Sequence, residues 1–278
     1  MENSQALSPA AFAFDSVAND FDNRFGGWLS VRAQRRAVRR ALQESFPAGG
    51  RILELGGGTG EDALWLAERG YRVVLTDASP RMVEISTRKL REYPDASAVV
   101  VAAEALEATT LTERDFAPQT FDGAFSNFAA LNCVSDLTPV ARGLARLIRQ
   151  NGKLILVVFG TCSPGEVIVE LARSRPRSAF RRFTTRPVSA SLSGRRFVVK
   201  YHRSTEIALA MQPWFRAAGR RGIGVFVPPS AAEPWISRHP RLLGALEAMD
   251  REVADALAPL GDHVLYRFER TSVPLTSP

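Results

Sequence analysis

Cysteine and histidine are scarce in this chain of 278 residues: two cysteines, Cys133 and Cys162, and three histidines, His202, His239 and His263. Two thiols make no disulfide framework, and so few Cys/His donors argue against a zinc site, so no metal is expected. No apolar run approaches the ~20 residues needed to span a bilayer. The stretch from Met1 to Ala13 has no basic region followed by an apolar core, so a secretory signal is not expected. These absences predict a cytoplasmic protein in a reducing compartment, with no membrane partner. Nothing in the sequence encodes an oligomeric state.

Acid is missing from one segment altogether. Between Arg173 and Arg203 stand ten Lys/Arg and no Asp or Glu. The chain's net charge of +7 therefore belongs to that segment, and the remainder sums to 7 − 10 = −3. Lysine is also rare, with only Lys89 and Lys153 outside the segment. The arginine run can be read as a grip for phosphate or carboxylate, or as the solvated face of an arginine-rich protein. The second reading is preferred.

What is present is ordinary: 45% apolar and 23% charged residues, the balance of a globular protein with room for one large domain and an insertion. Ser30 is placed to cap a helix running to about Phe46, which Pro47-Ala-Gly-Gly50 breaks. Arg51 to Leu55 reads as a buried strand entering a glycine turn, followed by a helix from Glu61 that Gly70 ends. Tyr71 to Thr76 is a second strand, and Ser79-Pro80 opens the next helix with a cap and a first-turn proline. Strands at Ala98 to Ala102, Phe121 to Ser126 and Lys153 to Phe159 follow, with a helix near Pro139 to Arg149 before the last. Further on, Val188 to Leu192 and Arg196 to Lys200 flank a hairpin turn, Ser204 caps a helix, and Leu242 to Leu257 is helical. Gly222 to Val227 and His263 to Phe268 complete the strands. This alternation predicts an α/β fold: a Rossmann-like seven-stranded, mostly parallel sheet with helices on both faces and an inserted substrate cap. The expected division is an N-terminal helical lid at 1–50, a core at 51–159, the cap at 160–203, and the C-terminal part of the sheet at 204–278.

The chemistry is concentrated in Glu54-Leu-Gly56-Gly57-Gly58-Thr-Gly60. A strand, a glycine turn and a helix let the backbone approach a nucleotide closely, and an acid ending the second strand, here Asp77, can accept from both ribose hydroxyls. Gly58 to Ala63 also satisfies the dinucleotide pattern G-x-G-x-x-A, which alone is weak. Glu54 beneath the turn, and Glu61-Asp62 at the helix entrance, argue against a pyrophosphate and for a zwitterionic methionine tail beside a sulfonium. A nicotinamide oxidoreductase is further disfavoured because no Tyr-x-x-x-Lys pair is present.

At these residues the sequence resembles the class I methyltransferases dependent on S-adenosylmethionine (SAM), of the small-molecule, UbiE/BioC-like type. The resemblance runs from about Phe14 to Phe159. It includes Phe14-Asp-x-x-Ala-x-x-Phe21-Asp22, the glycine loop, Thr76-Asp77-Ala78-Ser79-Pro80-x-Met82, Ala102 to Leu106, Phe121 to Asn127, and Gly152 to Leu156. It implies SAM as cofactor, S-adenosylhomocysteine (SAH) as product, and a cofactor site of Glu54, Gly56, Gly57, Gly58, Gly60, Asp77, Ala78, Met82, Ala103, Glu104, Asn127 and Phe128. Many relatives carry an aspartate where Ala102 stands, so an adenine contact must come from elsewhere, with Ala103 and Glu104 the nearest candidates. Plain roles compete at each position: turn tie for Glu54, core for Met82, turn former for Asn127.

Transfer from a sulfonium needs alignment more than a base. Only His202, beside Tyr201, is a weak candidate for a catalytic residue. The expected acceptor is a small molecule, bordered by some of Phe12, Phe14, Phe21, Trp28, Phe180, Phe183, Trp214 and Trp235. RNA, held by the basic cap, and an acyl-carrier-bound substrate are the alternatives. No RNA-binding module or base-methylation signature accompanies the charge.

Overall fold

The computed structural model describes residues 7–107 and 116–274. Its frame is a seven-stranded sheet in the order β3-β2-β1-β4-β5-β9-β8. The strands are β1 (Arg51–Leu55), β2 (Arg72–Asp77), β3 (Ala96–Val100), β4 (Phe121–Ser126), β5 (Ile148–Phe159), β8 (Phe215–Ile223) and β9 (His263–Arg270). The first five run parallel, and β9 and β8 are antiparallel additions at one edge. In β1 the run Ile-Leu-Glu-Leu is buried throughout, as a parallel strand covered on both faces requires. Ile52 faces a cluster with Val38, Leu42, Leu66 and Leu75, while Leu53 and Leu55 face another with Leu144, Leu154 and Leu156.

The helices around the sheet are α3 (Leu29–Ser45), α4 (Glu61–Ala67), α5 (Pro80–Leu90), α6 (Thr138–Leu147), α9 (Ser204–Met211) and α10 (Pro240–Val253). Ser79 caps α5 as expected, accepting from Met82 N at 3.2 Å with Pro80 in the first turn. Two short helices, α1 (Pro9–Asp15) and α2 (Phe21–Phe25), precede α3 and lie over the carboxyl ends of the strands. Residues 160–203 hold α7 (Pro164–Ala172), α8 (Pro176–Ala179) and the hairpin β6 (Val188–Leu192) and β7 (Arg195–Val199), which forms its own two-stranded sheet. Ala13 and Phe14 of α1 pack against Phe197, Val199 and Tyr201 at that hairpin.

Several boundaries differ from expectation. Ser30 is no cap: α3 starts at Leu29, and Ser30 donates from both N and Oγ to Glu233 Oε1, at 3.0 and 2.6 Å. A distant carboxylate supplies the acceptor that local reasoning assigned to the hydroxyl. Ser204 likewise is the first residue of α9, not its cap, and its hydroxyl meets Tyr266 at 2.7 Å. β3 begins at Ala96, and β5 begins at Ile148 where helix was expected. The strand expected at Gly222 to Val227 is β8, seven residues upstream at its start. Its arginine-rich sequence shows no apolar alternation because it is an edge strand with mostly exposed residues.

Candidate active site

The strand order reverses between β1 and β4, so the loops leaving their carboxyl ends diverge and open a crevice. The glycine loop forms one wall. A Cβ on Gly57 would stand 2.5 Å from the Leu75 side chain and 2.9 Å from Glu54 Cδ, so the loop lies against the sheet as only glycine permits. Gly60 turns the chain into α4 at φ +82°, and a Cβ there would meet Ser86 at 2.8 Å.

Asp77, at the end of β2, accepts from Gly58 N at 2.9 Å and Ser79 N at 2.8 Å. Burial pushes its carboxyl up, against the pull of those backbone donors. Glu54, at 2% exposure, has an Oε2 without a hydrogen-bond partner among the described residues. Burial and the nearby Asp62 hold the Glu54 carboxyl well above its usual range, although Arg35 and Arg39 draw it down. Asp62 is the opposite case. Burial acts to raise it, but Arg35 and Arg39 outweigh burial and lower it. Asp62 accepts from Arg35 Nη1 at 2.8 Å, Arg39 Nε at 2.7 Å and Asn127 Nδ2 at 2.7 Å. It is thus no exposed anion at the helix entrance, as the sequence suggested, but the centre of a buried charge cluster.

Asn127 Oδ1 in turn accepts from Phe128 N, which sits at φ +47° with the Arg35 guanidinium 4.6 Å from its ring centroid. At the other end of the crevice stand Met82, Val101, Ala103, Glu104, Leu131, Cys133 and Val134. Burial pushes the Cys133 thiol up to about 11, so it is protonated at neutral pH. Ser8, Ala10, Ala11, Phe14 and Phe21 of the N-terminal segment complete the lining.

That segment is fastened at two carboxylates. Asp15 accepts from Ser79 Oγ at 2.8 Å and Arg81 N at 3.0 Å. Asp22 accepts from Thr59 Oγ1 and Lys89 Nζ, each at 2.6 Å, and Lys89 also holds Glu61. The paired aromatic-acid steps at Phe14-Asp15 and Phe21-Asp22 therefore have a physical reading: each ring faces the crevice and each acid ties the segment to the loops below.

Of the residues proposed from sequence, Glu54, Gly56, Gly57, Gly58, Asp77, Ala78, Met82, Ala103, Glu104, Asn127 and Phe128 all line this one crevice, whereas Gly60 only shapes the turn behind it. His202 does not belong to the crevice. It is 2% exposed, and its Nε2 lies 3.0 Å from Val134 O and 3.3 Å from Leu131 O, bonds that fix the loop after β4. Burial lowers its pKa. Among the aromatics suggested for the acceptor, Phe14 and Phe21 line the crevice. Phe12, Phe180, Phe183 and Trp235 are exposed. Arg35 was missed by sequence reasoning: one of several arginines on α3, it is distinguished only by the turn of the helix that aims it at Asp62. Among the described residues no cluster of three His, Cys, Asp or Glu could hold a metal.

Residues 52–152 match the methyltransferase domain family. Over 209 residues the chain is 28% identical to a demethylmenaquinone methyltransferase of Clavibacter sepedonicus, covering 74% of this chain and 80% of that one. A shorter match of 75 residues, 33% identical, links 26% of it to 29% of a tRNA 5-carboxymethoxyuridine methyltransferase of Escherichia coli. The geranyl diphosphate C-methyltransferase of Streptomyces coelicolor, solved with SAH, shares the fold at a TM-score of 0.53 and 15% identity, over 85% of this chain and 79% of that one. With five motifs in order along the strands and this family match across them, residues 52–152 are a methyltransferase domain on a fold shared with SAM-dependent methyltransferases.

Proposed function

We propose that the protein transfers the SAM methyl group to a small-molecule acceptor, and that the crevice between β1, β2 and β4 holds the cofactor. The observation that carries this reading is the convergence of the loops after three strands on one cleft whose polar groups suit both ends of SAM. Asp77 offers a carboxylate for the ribose hydroxyls. Glu54 has a buried oxygen, unpartnered among the described residues, for the methionine ammonium, and Arg35 offers a guanidinium for its carboxylate. Met82, Val101, Ala103 and Val134 provide an apolar slot for adenine, with Glu104 at its border.

SAM when bound supplies an already activated methyl group, displaced in line from sulfur. What the chain contributes is alignment and exclusion of water. Phe14 and Phe21 close the crevice from above, and Asp15 and Asp22 hold them there. Phe128, fixed by Asn127 and by Arg35 stacked on its ring, forms the wall between the cofactor crevice and the ends of β5 and β9, where His263 stands edge-on at 5.9 Å. In this reading 1–50 acts as lid and 160–203 as a cap seated on it. The soluble cytoplasm is the proposed compartment, and the similarity to a demethylmenaquinone methyltransferase supports an apolar acceptor.

The basic segment and the short match to a tRNA enzyme favour RNA as the second reading. Purified protein given methyl-labelled SAM, with total RNA in one reaction and small-molecule extract in the other, separates them. Label in the extract supports the proposal. Label only in RNA rejects it.

A further inference from the structure

Helix α7 buries its acids and exposes two of its large apolar residues. Its two carboxylates, Glu166 and Glu170, are buried, at 2% and 6% exposure, while Ile168 and Leu171 stand in solvent at 68% and 46%. The buried acids have partners. Glu166 takes both Arg181 and Arg182, and Arg182 continues inward to Asp262 Oδ1 at 2.7 Å and Asp262 O at 2.6 Å. This charged seam anchors the hairpin of α7 and α8 to the start of β9; Val169 packs against the Val227 and Ile236 cluster, while Ile168 and Leu171 are left outward. The same hairpin exposes Phe180 and Phe183, ring centroids 6.1 Å apart, each at 53%. A soluble surface rarely spends four large apolar residues on so small an element unless something covers them.

Basic residues accompany them on the same helical hairpin: Arg175 and Arg177 are exposed and make no ion pair with any described residue, and no acid occurs in sequence between Arg173 and Arg203. We propose that this hairpin is a peripheral docking surface for an anionic lipid membrane: the phenylalanines, Ile168 and Leu171 enter the interface, and the unpaired guanidiniums meet the headgroup phosphates. Two features favour lipid over RNA or an acidic protein. Half of the apolar contribution is aliphatic, which cannot stack on bases. The apolar groups also project from a helix and a following turn. Among the described residues no helix is long and apolar enough to cross a bilayer, so the contact is peripheral. It differs from the sequence expectation of no membrane partner, which rested on the lack of a spanning run. The inference is independent of the acceptor's identity.

The test is co-sedimentation of the full chain with vesicles of phosphatidylcholine alone, and with about a third phosphatidylserine added. Partition onto the anionic vesicles only, weakened by high salt, is expected. The pair Arg175→Gln and Arg177→Gln should reduce it, by roughly fivefold per charge. Ile168→Ser with Phe183→Ser should reduce it at least tenfold, with SAH affinity by calorimetry unchanged, which shows the fold intact. Equal partition onto both vesicle types, no partition, or wild-type partition of both variants overturns the proposal. Binding to a random single-stranded RNA without binding to anionic vesicles also overturns it. Loss of SAH binding by the wild-type chain would instead sink the cofactor reading and leave the vesicle result standing.

Discussion

Asn127 and Asp62 meet across the crevice, Nδ2 donating to Oδ2 at 2.7 Å, and so join the end of β4 to the first turn of α4. The bond is one of three that Asp62 accepts; the others come from Arg35 and Arg39, which reach over from α3. Three elements of the fold are thus pinned at one carboxylate beneath the proposed methionine end of the cofactor.

Asp62→Asn should destabilise the protein by about 3 kcal/mol, because it leaves two largely buried guanidiniums without their counter-charge. Asn127→Ala, which removes one bond and leaves the ion pairs, should cost about 1 to 2 kcal/mol. Urea denaturation of both variants checks the order. The Asp62 carboxyl is lowered in the folded chain, so its stabilisation is complete above the ordinary aspartate value of about 3.9. It is lost as pH falls through the folded value. The variant's deficit should therefore shrink in acid.

Glu54 has the reverse sign. Its folded pKa is raised well above the ordinary value, so the folded chain binds a proton that the unfolded chain has released. Stability of the ligand-free protein then declines as pH rises from about 4.3 toward that folded value. Glu54→Gln abolishes this decline: the variant should melt higher than the parent at neutral pH, with the gap closing below pH of about 4. At the same time it should bind SAH at least tenfold more weakly, since an amide is a poor partner for an ammonium. Melting curves across pH, with calorimetric titration of SAH, test both halves. A variant that loses stability at neutral pH would refute the assignment of an unsatisfied buried carboxylate.

The core was legible where a local rule decides the structure. Ser79-Pro80 opens α5, Gly60 and Gly70 take left-handed turns, and the run Arg51 to Leu55 is buried on both faces, all as local chemistry dictates. The crevice was legible for the same reason, since its residues sit at strand ends or in the glycine loop. Reasoning failed where a distant partner decides. Ser30 answers to Glu233, 203 residues away, and Asp62 to arginines on another helix. Arg35 carried no signal, because only the packing of α3 on α4 separates it from its neighbours. His202 was singled out for its position beside Tyr201, yet its ring serves two backbone carbonyls. The buried acid of α7 was equally hidden: Glu166 faces inward there because it meets the buried Arg182, and no periodicity announces that.

Asp77 bonds its own loop as well as any ribose, which separates two variants. Asp77→Asn can keep an acceptor for one backbone donor but loses the charge that strengthens bonds to hydroxyls, so SAH affinity should fall roughly tenfold or more. Asp77→Ala also frees Gly58 N and Ser79 N, and should lose both affinity and about 1 to 2 kcal/mol of stability. Calorimetry and thermal melts on the same two samples distinguish the roles. If the asparagine variant binds SAH like the parent, Asp77 is a loop tie and the ribose site lies elsewhere.

Lys89 links α5 to both Asp22 of the N-terminal segment and Glu61 of α4, and Asp22 is further held by Thr59 of the glycine loop. Each bond is partly exposed, so the clasp is a weak one that can open for cofactor exchange. Lys89→Met keeps the length of the side chain and removes its charge, leaving two carboxylates facing each other beside the loop. The segment from Pro9 to Phe25 should then exchange its amide hydrogens faster, while β1 and β4 keep their protection. SAH should dissociate several-fold faster, because Phe14 and Phe21 no longer stay closed over it, and the parent protein should approach this rate as salt screens the clasp. Hydrogen exchange read by mass spectrometry and stopped-flow displacement of SAH measure the two effects. Faster exchange with an unchanged off-rate would show that the segment opens freely but does not gate the cofactor. No change in either would show that Asp15, not Lys89, holds the lid.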